Sequence, residues 1–310
     1  MEAGLPHEPV LVTEVVAFAT GERADLWVVV DATVGAGGHA AALLGALGPS
    51  GRVLGLDRDP AALEHAERRL SPFGDHARLV RGPYDDLEAV VAEHGWGRVD
   101  AVIYDLGVSS MQLDEAERGF SFRADAPLDM RMDPSQEITA YDIVNFYEEE
   151  ELVDILFHFG EERFGRRIAA AIVAARGVKP IRTTGQLAEI VADAVPSAAR
   201  RDKHPARRTF PAIRIEVNKE LERLESSLPQ AARVLEPGGR LVAISYHSLE
   251  DRVVKRFVNE ASRDEPPRLR NLTKNPVTPS KEELISNPRA SAAKLRAAER
   301  TDSPWGGDAA

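Results

Sequence analysis

Residues 28–60 read VVVDATVGAGGHAAALLGALGPSGRVLGLDRDP. Val28, Val29 and Val30 form a β-branched apolar run, long enough for a short buried strand, and Asp31 ends it. Gly35, Gly37 and Gly38 crowd the loop that follows. His39 to Leu47, rich in Ala and Leu and stopped by Gly48-Pro49, predicts a helix. Val53 to Leu56 predicts a second strand, closing on Asp57. The unit is therefore strand, glycine loop, helix, strand, acid. Glycines let the backbone come close to a ligand, and a helix start offers N–H groups without intrahelical partners. An acid ending the second strand suits a ribose diol. The expectation is a nucleoside-bearing cofactor at the carboxyl ends of parallel strands.

The motif is compatible with two cofactors. Gly35-x-Gly37-x-x-Ala40 fits the dinucleotide pattern for NAD, with Asp57 twenty residues past Gly37. Two features lean toward S-adenosylmethionine. Asp31 stands at the tip of the first strand, where a carboxylate can face the ammonium of a methionine tail. A further strand-end acid, Asp105, follows downstream.

Working outward, the 310 residues suffice for one large domain or a domain with an insertion. Hydrophobic content of 43% and charged content of 29% fit a soluble globular protein, expected in the cytoplasm. No apolar run approaches membrane length, so no membrane partner is expected. The absence of cysteine excludes disulfides, thiolate zinc sites and a cysteine nucleophile, and no metal site is expected. The net charge of −11 is unevenly spread. Residues 163–214 carry 12 Lys/Arg against 3 Asp/Glu, a net of +9, and residues 266–300 carry 8 against 3, a net of +5. Such segregation suggests that two local segments meet a polyanion.

His7 to Leu11 opens the chain, followed by a helical pattern through Val12, Val15, Val16 and Ala19. Asp59 suits an N-cap, with Pro60 at the first helical position. Ala77 to Val80 predicts a third strand leading to Tyr84, an aromatic that can stack on an adenine or simply pack. Val99 to Tyr104 predicts a fourth strand, and its exit, Asp105-Leu106-Gly107-Val108-Ser109-Ser110, combines an acid, a glycine and hydroxyls. Residues 112–133 read as an ordered loop near the site.

From Ala140 to about Ala212 the pattern is helical, with Thr183-x-x-Gln186 resembling a capping box, which predicts an inserted helical subdomain. Val217, Leu221, Leu224, Leu228, Ala231 and Leu235 predict one long amphipathic helix ended by Pro237-Gly238-Gly239. Arg240 to Tyr246 predicts another sheet strand, and Val253 to Val258 another helix. The final 45 residues, with six prolines, read as a partly ordered tail. The expected fold is α/β, one discontinuous core formed by residues 1–115 and 213–310, with residues 116–212 inserted as a mostly helical subdomain.

Several collinear motifs then carry a resemblance. GAGGHA, LDRDP, DLGVSS-x-QLD, ERGFSF, PLDMRMD, GEERF, HPARRTF at His204 to Phe210, and SYHSLEDR occur together and in order. They resemble the bacterial ribosomal RNA small subunit methyltransferase H family, also called MraW, over nearly the whole chain. The resemblance implies a Rossmann-like S-adenosylmethionine-dependent methyltransferase core whose inserted helical subdomain binds substrate, and N4-methylation of a cytidine in the decoding region of 16S ribosomal RNA, within the 30S subunit. It implies cofactor contacts at Gly37, Gly38, His39, Asp57, Tyr84, Asp105 and Gln112. It leaves monomer and homodimer both open.

The chemistry is consistent with the residues. A cytosine carbon-5 methyltransferase normally needs an attacking cysteine, and this chain has none. An exocyclic amine needs orientation and acceptors for its hydrogens as the methyl arrives in line. The Asp105 carboxylate and Leu106 carbonyl are candidate acceptors, and Ser109 adds a hydroxyl to the same exit. Asp105 is equally suited to serve only the cofactor. Ser245 and His247, at a later strand end, are candidates for holding the base, and His247 is equally suited to a structural role. The competing classes are an NAD-dependent oxidoreductase and a non-catalytic RNA-binding protein that retains a cofactor fold.

Overall fold

The computed structural model describes residues 9–21, 28–197 and 204–305. His7, Arg200, Arg201 and Lys203 lie outside the described residues. Two compact units divide the chain, Met1–Gly107 with Leu221–Ala310, and Val108–Glu220.

The first unit is built on a seven-stranded sheet. Its strands are β1 (Val28–Asp31), β2 (Arg52–Asp57), β3 (Ala77–Arg81), β4 (Val99–Asp105), β5 (Leu235–Ser245), β6 (Leu269–Asn271) and β7 (Lys294–Arg300). The order is β3-β2-β1-β4-β5-β7-β6, parallel from β3 to β5, with β7 antiparallel to both its neighbours. Helices α1 (Val12–Thr20), α2 (Gly38–Leu47), α3 (Pro60–Leu70) and α4 (Leu87–Glu93) precede the inserted unit. Within it run α5 (Ser110–Asp114), α6 (Ala140–Phe146), α7 (Glu149–His158), α8 (Gly165–Val178), α9 (Thr184–Ala194) and α10 (Ala206–Asn218). After it come α11 (Glu220–Val234), α12 (Ser248–Ala261) and α13 (Lys281–Ser286).

Strand alternation sorts the core into two layers. Val30, Leu54, Leu56, Val102 and Tyr104 pack on one face with Leu87 and Val91 of α4, Leu224 and Leu228 of α11 and Val254 of α12. Val29, Val53, Ala101 and Ile103 pack on the other with Val15 of α1, Leu43 of α2 and Ala66 of α3. A sheet covered on both faces explains why β1 and β4 read as continuous apolar runs. The register pairs Asp31 with Gly55 on one side and with Ile103 on the other. Strand order reverses between β1 and β4, so the acids Asp31, Asp57 and Asp105 end their strands around a topological switch point. Asp59 caps α3 as expected, its side chain accepting from the Ala61 N–H with Pro60 at the first position.

Two sequence expectations need correction here. The final segment is not a tail: β7 lies inside the sheet between β5 and β6. Its charges disguised it. Arg296 is buried because Asp251 takes it through two hydrogen bonds of 2.7 and 3.2 Å, and Arg300 is buried against the carbonyls of Ala232 and Arg233. The long helix over 217–235 is broken instead. Lys219 adopts a left-handed conformation, φ 50°, between α10 and α11, and Leu235 already belongs to β5.

The second unit has its own core, with Met130, Ile143, Leu152, Ile168, Leu187, Phe210 and Ile213 among its buried residues. Because Phe210, Ile213 and Val217 of α10 are packed into it, the unit ends at Glu220 rather than at residue 212. At the other end it begins at Val108 rather than at residue 116. Thr139 and Thr183 cap α6 and α9 through reciprocal capping boxes, the second as the sequence led one to expect. The loop over 127–133 is ordered: Asn218 donates to the Met130 carbonyl and accepts from the Met132 N–H, both at 2.8 Å.

Candidate active site

Asp31 leaves β1 with only 1% of its surface exposed. Its Oδ1 accepts from the Thr33 N–H at 3.2 Å, while Oδ2 is buried without a partner among the described residues. Burial pushes this carboxyl up to about 7, helped by the charges of Asp105 and Asp57 and opposed by His39 and the Thr33 amide. Asp57, at the end of β2, accepts from the N–H groups of Gly35 and Asp59, each at 2.9 Å. Burial raises its pKa too, against those two hydrogen bonds.

Asp105 ends β4. Its backbone N–H donates to the Thr33 hydroxyl at 2.6 Å, tying the β4 exit to the β1 exit. The Tyr246 hydroxyl donates to Oδ1 at 2.8 Å, and Oδ2 lies 3.6 Å from His39 Nδ1. Burial raises Asp105 above the usual carboxylate range, with His39 and Tyr246 opposing. Burial, followed by the Asp105 charge, pushes Tyr246 strongly upward, so it stays a neutral donor. His39 sits in the first turn of α2, its Nε2 2.8 Å from the Val10 carbonyl oxygen.

The glycine loop has two jobs. Gly35 (φ 51°) has open space where a side chain would be, apart from the Thr33 carbonyl oxygen at 3.8 Å. Gly37 (φ 77°) is the N-cap of α2, and a Cβ there would lie 3.3 Å from both Ala66 Cα and Leu70 Cγ of α3. Gly37 therefore seats one helix on another, while Gly35 borders the crevice.

Tyr84 opens a short 3-10 turn after β3, beside Asp57 through the Gly82 N–H to Asp57 carbonyl bond of 3.0 Å. Its ring meets Tyr104 edge-on, with centroids 5.8 Å apart.

The other expected residues are locally engaged. Ser109 and Gln112 belong to the second unit, where they form the capping box of α5. His247 caps α12: its Nδ1 accepts from the Glu250 N–H at 3.4 Å and its Nε2 lies 3.0 Å from Glu250 Oε1. The buried Ser245 hydroxyl donates to the Lys294 carbonyl of β7 at 3.3 Å, so it is directed into the sheet. Sequence reading passed over Tyr246, the residue between these two, and Thr33. The available signal was strand alternation, which gives Ser245 and Tyr246 opposite faces.

Chemically, the first unit gathers one buried carboxylate, Asp31, and two partly buried ones, Asp57 and Asp105, around a loop and a helix start. Such a site suits a ligand with cationic and hydroxyl groups. It is adverse to a pyrophosphate, whose negative charge would meet three strand-end carboxyl groups. The sheet also departs from the all-parallel dinucleotide order by its reversed β7. Both observations count against the NAD reading. Fold and site together define a Rossmann-like methyltransferase. The chain belongs to the MraW methylase family, whose profile matches residues 4–301.

Named relatives match nearly the whole chain. A protein of Heliobacterium modesticaldum named Ribosomal RNA small subunit methyltransferase H is 49% identical over 309 residues, covering 95% of this chain and 98% of that one. One of the same name from Thermobifida fusca is 50% identical over 312 residues, covering 96% and 94%. Among solved structures, an rRNA methylase from Streptococcus thermophilus aligns over 97% of this chain and 100% of that one, at 15% identity and a TM-score of 0.45. No helix among the described residues is long and apolar enough to cross a membrane.

Proposed function

We propose that this methyltransferase uses S-adenosylmethionine to methylate the N4 amine of a cytidine in the decoding region of 16S ribosomal RNA, within the 30S subunit. The observation that carries the cofactor is the buried, unpartnered Oδ2 of Asp31 among three strand-end acids. The cofactor supplies a methyl group on a positively charged sulfur. Asp31 faces its ammonium, Asp57 accepts from both ribose hydroxyls, and Tyr84 covers the adenine. Gly37, Gly38 and His39 serve the cofactor by setting the start of α2 and its N–H groups, Gly37 through its seat against α3. The rRNA substrate is supported by the names of the relatives and by the net +9 of residues 163–214, which lie in the second unit.

The target nitrogen is a poor nucleophile because its lone pair is delocalised into the ring. Asp105 accepts a hydrogen bond from one amine hydrogen and the Leu106 carbonyl from the other, orienting the lone pair; as the N–C bond forms and the sulfur–methyl bond breaks, the neutral thioether would leave and the surplus amine proton would pass to the Asp105 carboxylate. Tyr246 fixes the Asp105 carboxylate by holding Oδ1. Ser109 and His247 act through the turns that they cap. Incubating the protein with labelled S-adenosylmethionine and 30S particles, then analysing nucleosides by mass spectrometry, tests the proposal. It predicts N4-methylcytidine, and a methyl group on any other atom would overturn it.

The Asp31 assignment has a pH signature. Its folded pKa of about 7 lies above the ordinary 3.8, so the ligand-free protein keeps a proton that the unfolded chain gives up. Stability from this group is complete at low pH and is lost as pH rises from about 4 to about 7. A bound ammonium pulls the pKa back down, so binding expels the proton. Calorimetry near pH 6, in buffers of different ionisation enthalpy, should detect this release in the wild type. Asp31→Asn should bind more weakly and release fewer protons. Equal release by the variant would move the ammonium away from Asp31. For Asp57→Ala, loss of charge-assisted acceptors should weaken cofactor binding by about 1.5–3 kcal/mol. An unchanged dissociation constant would remove Asp57 from the site.

The RNA surface is assigned to the second unit. Arg163, Arg166, Arg167 and Arg207 are exposed and make no ion pair with a described residue. Arg163 lies over the Phe164 ring at 4.6 Å. The other basic segment is largely consumed internally, with Arg268 on Asp264, Arg270 on Glu299 and Arg296 on Asp251. Changing Arg163, Arg166, Arg167 and Arg207 together to Ser should lower the salt slope of RNA binding by about one unit per lost phosphate contact. Activity on 30S particles should fall while cofactor affinity holds. A variant with lower melting temperature but unchanged Michaelis constant and salt dependence would exclude this surface.

A further inference from the structure

We propose that one face of α11 is a clamp that positions Tyr84 for the adenine, which makes Ser227 and Gln230 positioning residues of the cofactor site. The proposal rests on the reading of Tyr84 as the adenine partner.

Four polar residues of α11, Arg223, Ser227, Gln230 and Arg233, recur at spacings of four, three and three and so share one helical face. All four reach the same short stretch, Tyr84 to Glu88. The Ser227 hydroxyl donates to the Tyr84 carbonyl at 2.7 Å. Gln230 donates its amide to the Asp85 carbonyl and accepts from the Glu88 N–H at 3.1 Å. Arg223 takes both oxygens of Asp85 at 2.8 and 3.0 Å, and Arg233 takes the Glu88 carboxylate. Beside these bonds, Leu224 and Leu228 anchor α11 in the core.

The hydrogen-bond directions extend the clamp into the sheet. Ser227 has one hydroxyl hydrogen, and the Tyr84 carbonyl takes it. The Tyr104 hydroxyl, 2.6 Å from Ser227 Oγ, must therefore be the donor in that pair. Burial raises the Tyr104 pKa, which keeps the phenol protonated for this role. Tyr104 thus acts on Tyr84 twice, through Ser227 on its backbone and by edge contact on its ring. On the opposite side, the Gly82 N–H ties the same turn to the Asp57 carbonyl. The turn is held from both flanks, and the aromatic is fixed relative to the acid assigned to the ribose. Plain core packing does not require this many polar contacts to three peptide groups within the five residues from Tyr84 to Glu88. Fixing a stacking aromatic before the ligand arrives does, because an ordered ring loses less freedom on binding.

The test is a double-mutant cycle on the full chain, reading the dissociation constant for S-adenosylmethionine. Gln230→Ala and, separately, Ser227→Ala should each weaken binding roughly fivefold to tenfold. The Michaelis constant for the cofactor should rise with kcat at saturation unchanged. Tyr84→Ala should weaken binding more. Combined with Tyr84→Ala, Gln230→Ala should add nothing, since a clamp has no effect without the ring it positions. General destabilisation would instead weaken binding by the same factor in both backgrounds, and that result overturns the proposal. So does unchanged binding by a folded Gln230→Ala, which remains informative should Ser227→Ala fail to fold. If Tyr84→Ala itself binds normally, the adenine assignment is wrong and the clamp falls with it. If Tyr84→Ala binds weakly and the α11 variants do not, only the clamp is wrong.

Discussion

Gly37→Val is expected to abolish S-adenosylmethionine binding and to lower the melting temperature as well. Sequence logic alone would attribute the first effect to a side chain in the ligand's space and would leave the fold largely intact. The geometry differs. At φ 77° a β-branched residue is strained, by about 1–2 kcal/mol for the left-handed backbone alone. The new Cβ would press 3.3 Å from Ala66 Cα and Leu70 Cγ, and the two γ-methyls would overpack that contact by about 1–3 kcal/mol more. Relief requires moving the start of α2 away from α3, which carries His39 and the helix N–H groups with it. Calorimetry and a thermal melt check the two effects together. Normal affinity in a folded variant would reduce the loop to a turn.

Asp105→Asn is expected to separate chemistry from binding. If the carboxylate accepts a hydrogen of the target amine, its amide isostere should lower kcat by about 10²–10⁴-fold. The cofactor dissociation constant should change far less, since Asp31 and Asp57 remain. Rapid-quench measurement of a single turnover on 30S particles isolates the methyl-transfer step from product release. Unchanged kcat with a large loss of cofactor affinity would assign Asp105 to the cofactor alone. Tyr246→Phe should lower kcat in the same direction by a smaller factor, because it frees Oδ1 without removing the acceptor.

What was legible in the sequence was local. The β1–α2–β2 unit declares itself because apolar runs, glycines and strand-end acids lie within 33 consecutive residues. The same holds for the Asp59 and Thr183 caps, whose hydrogen bonds close within three residues. The illegible parts depend on distant partners. Nothing near Arg296 and Arg300 announces that Asp251 will pair with the first and that the Ala232 and Arg233 carbonyls, at the end of α11, will accept from the second, so a sheet-interior strand looks like a polar tail. Lys219 offers no glycine to mark the break between α10 and α11. Tyr246 gains its meaning only from Asp105, 141 residues earlier. The orphaned oxygen of Asp31 was invisible because burial of a charged group is a property of the packed sheet.

The placement of β7 also sets a schedule. A strand that pairs with β5 on one side and β6 on the other is translated after both. From the end of β5 at Ser245 to the start of β7 at Lys294, the ribosome needs about 2–10 s at typical synthesis rates. Through that interval β5 carries an open edge, apolar over residues 241–244, of the kind that recruits strands from other chains. Among the described residues β6 pairs with no strand but β7, so its strand partner is missing until residues 294–300 arrive. Completion of the sheet is thus a late event in the life of each molecule, and nascent chains stalled between those points would be the aggregation-prone population.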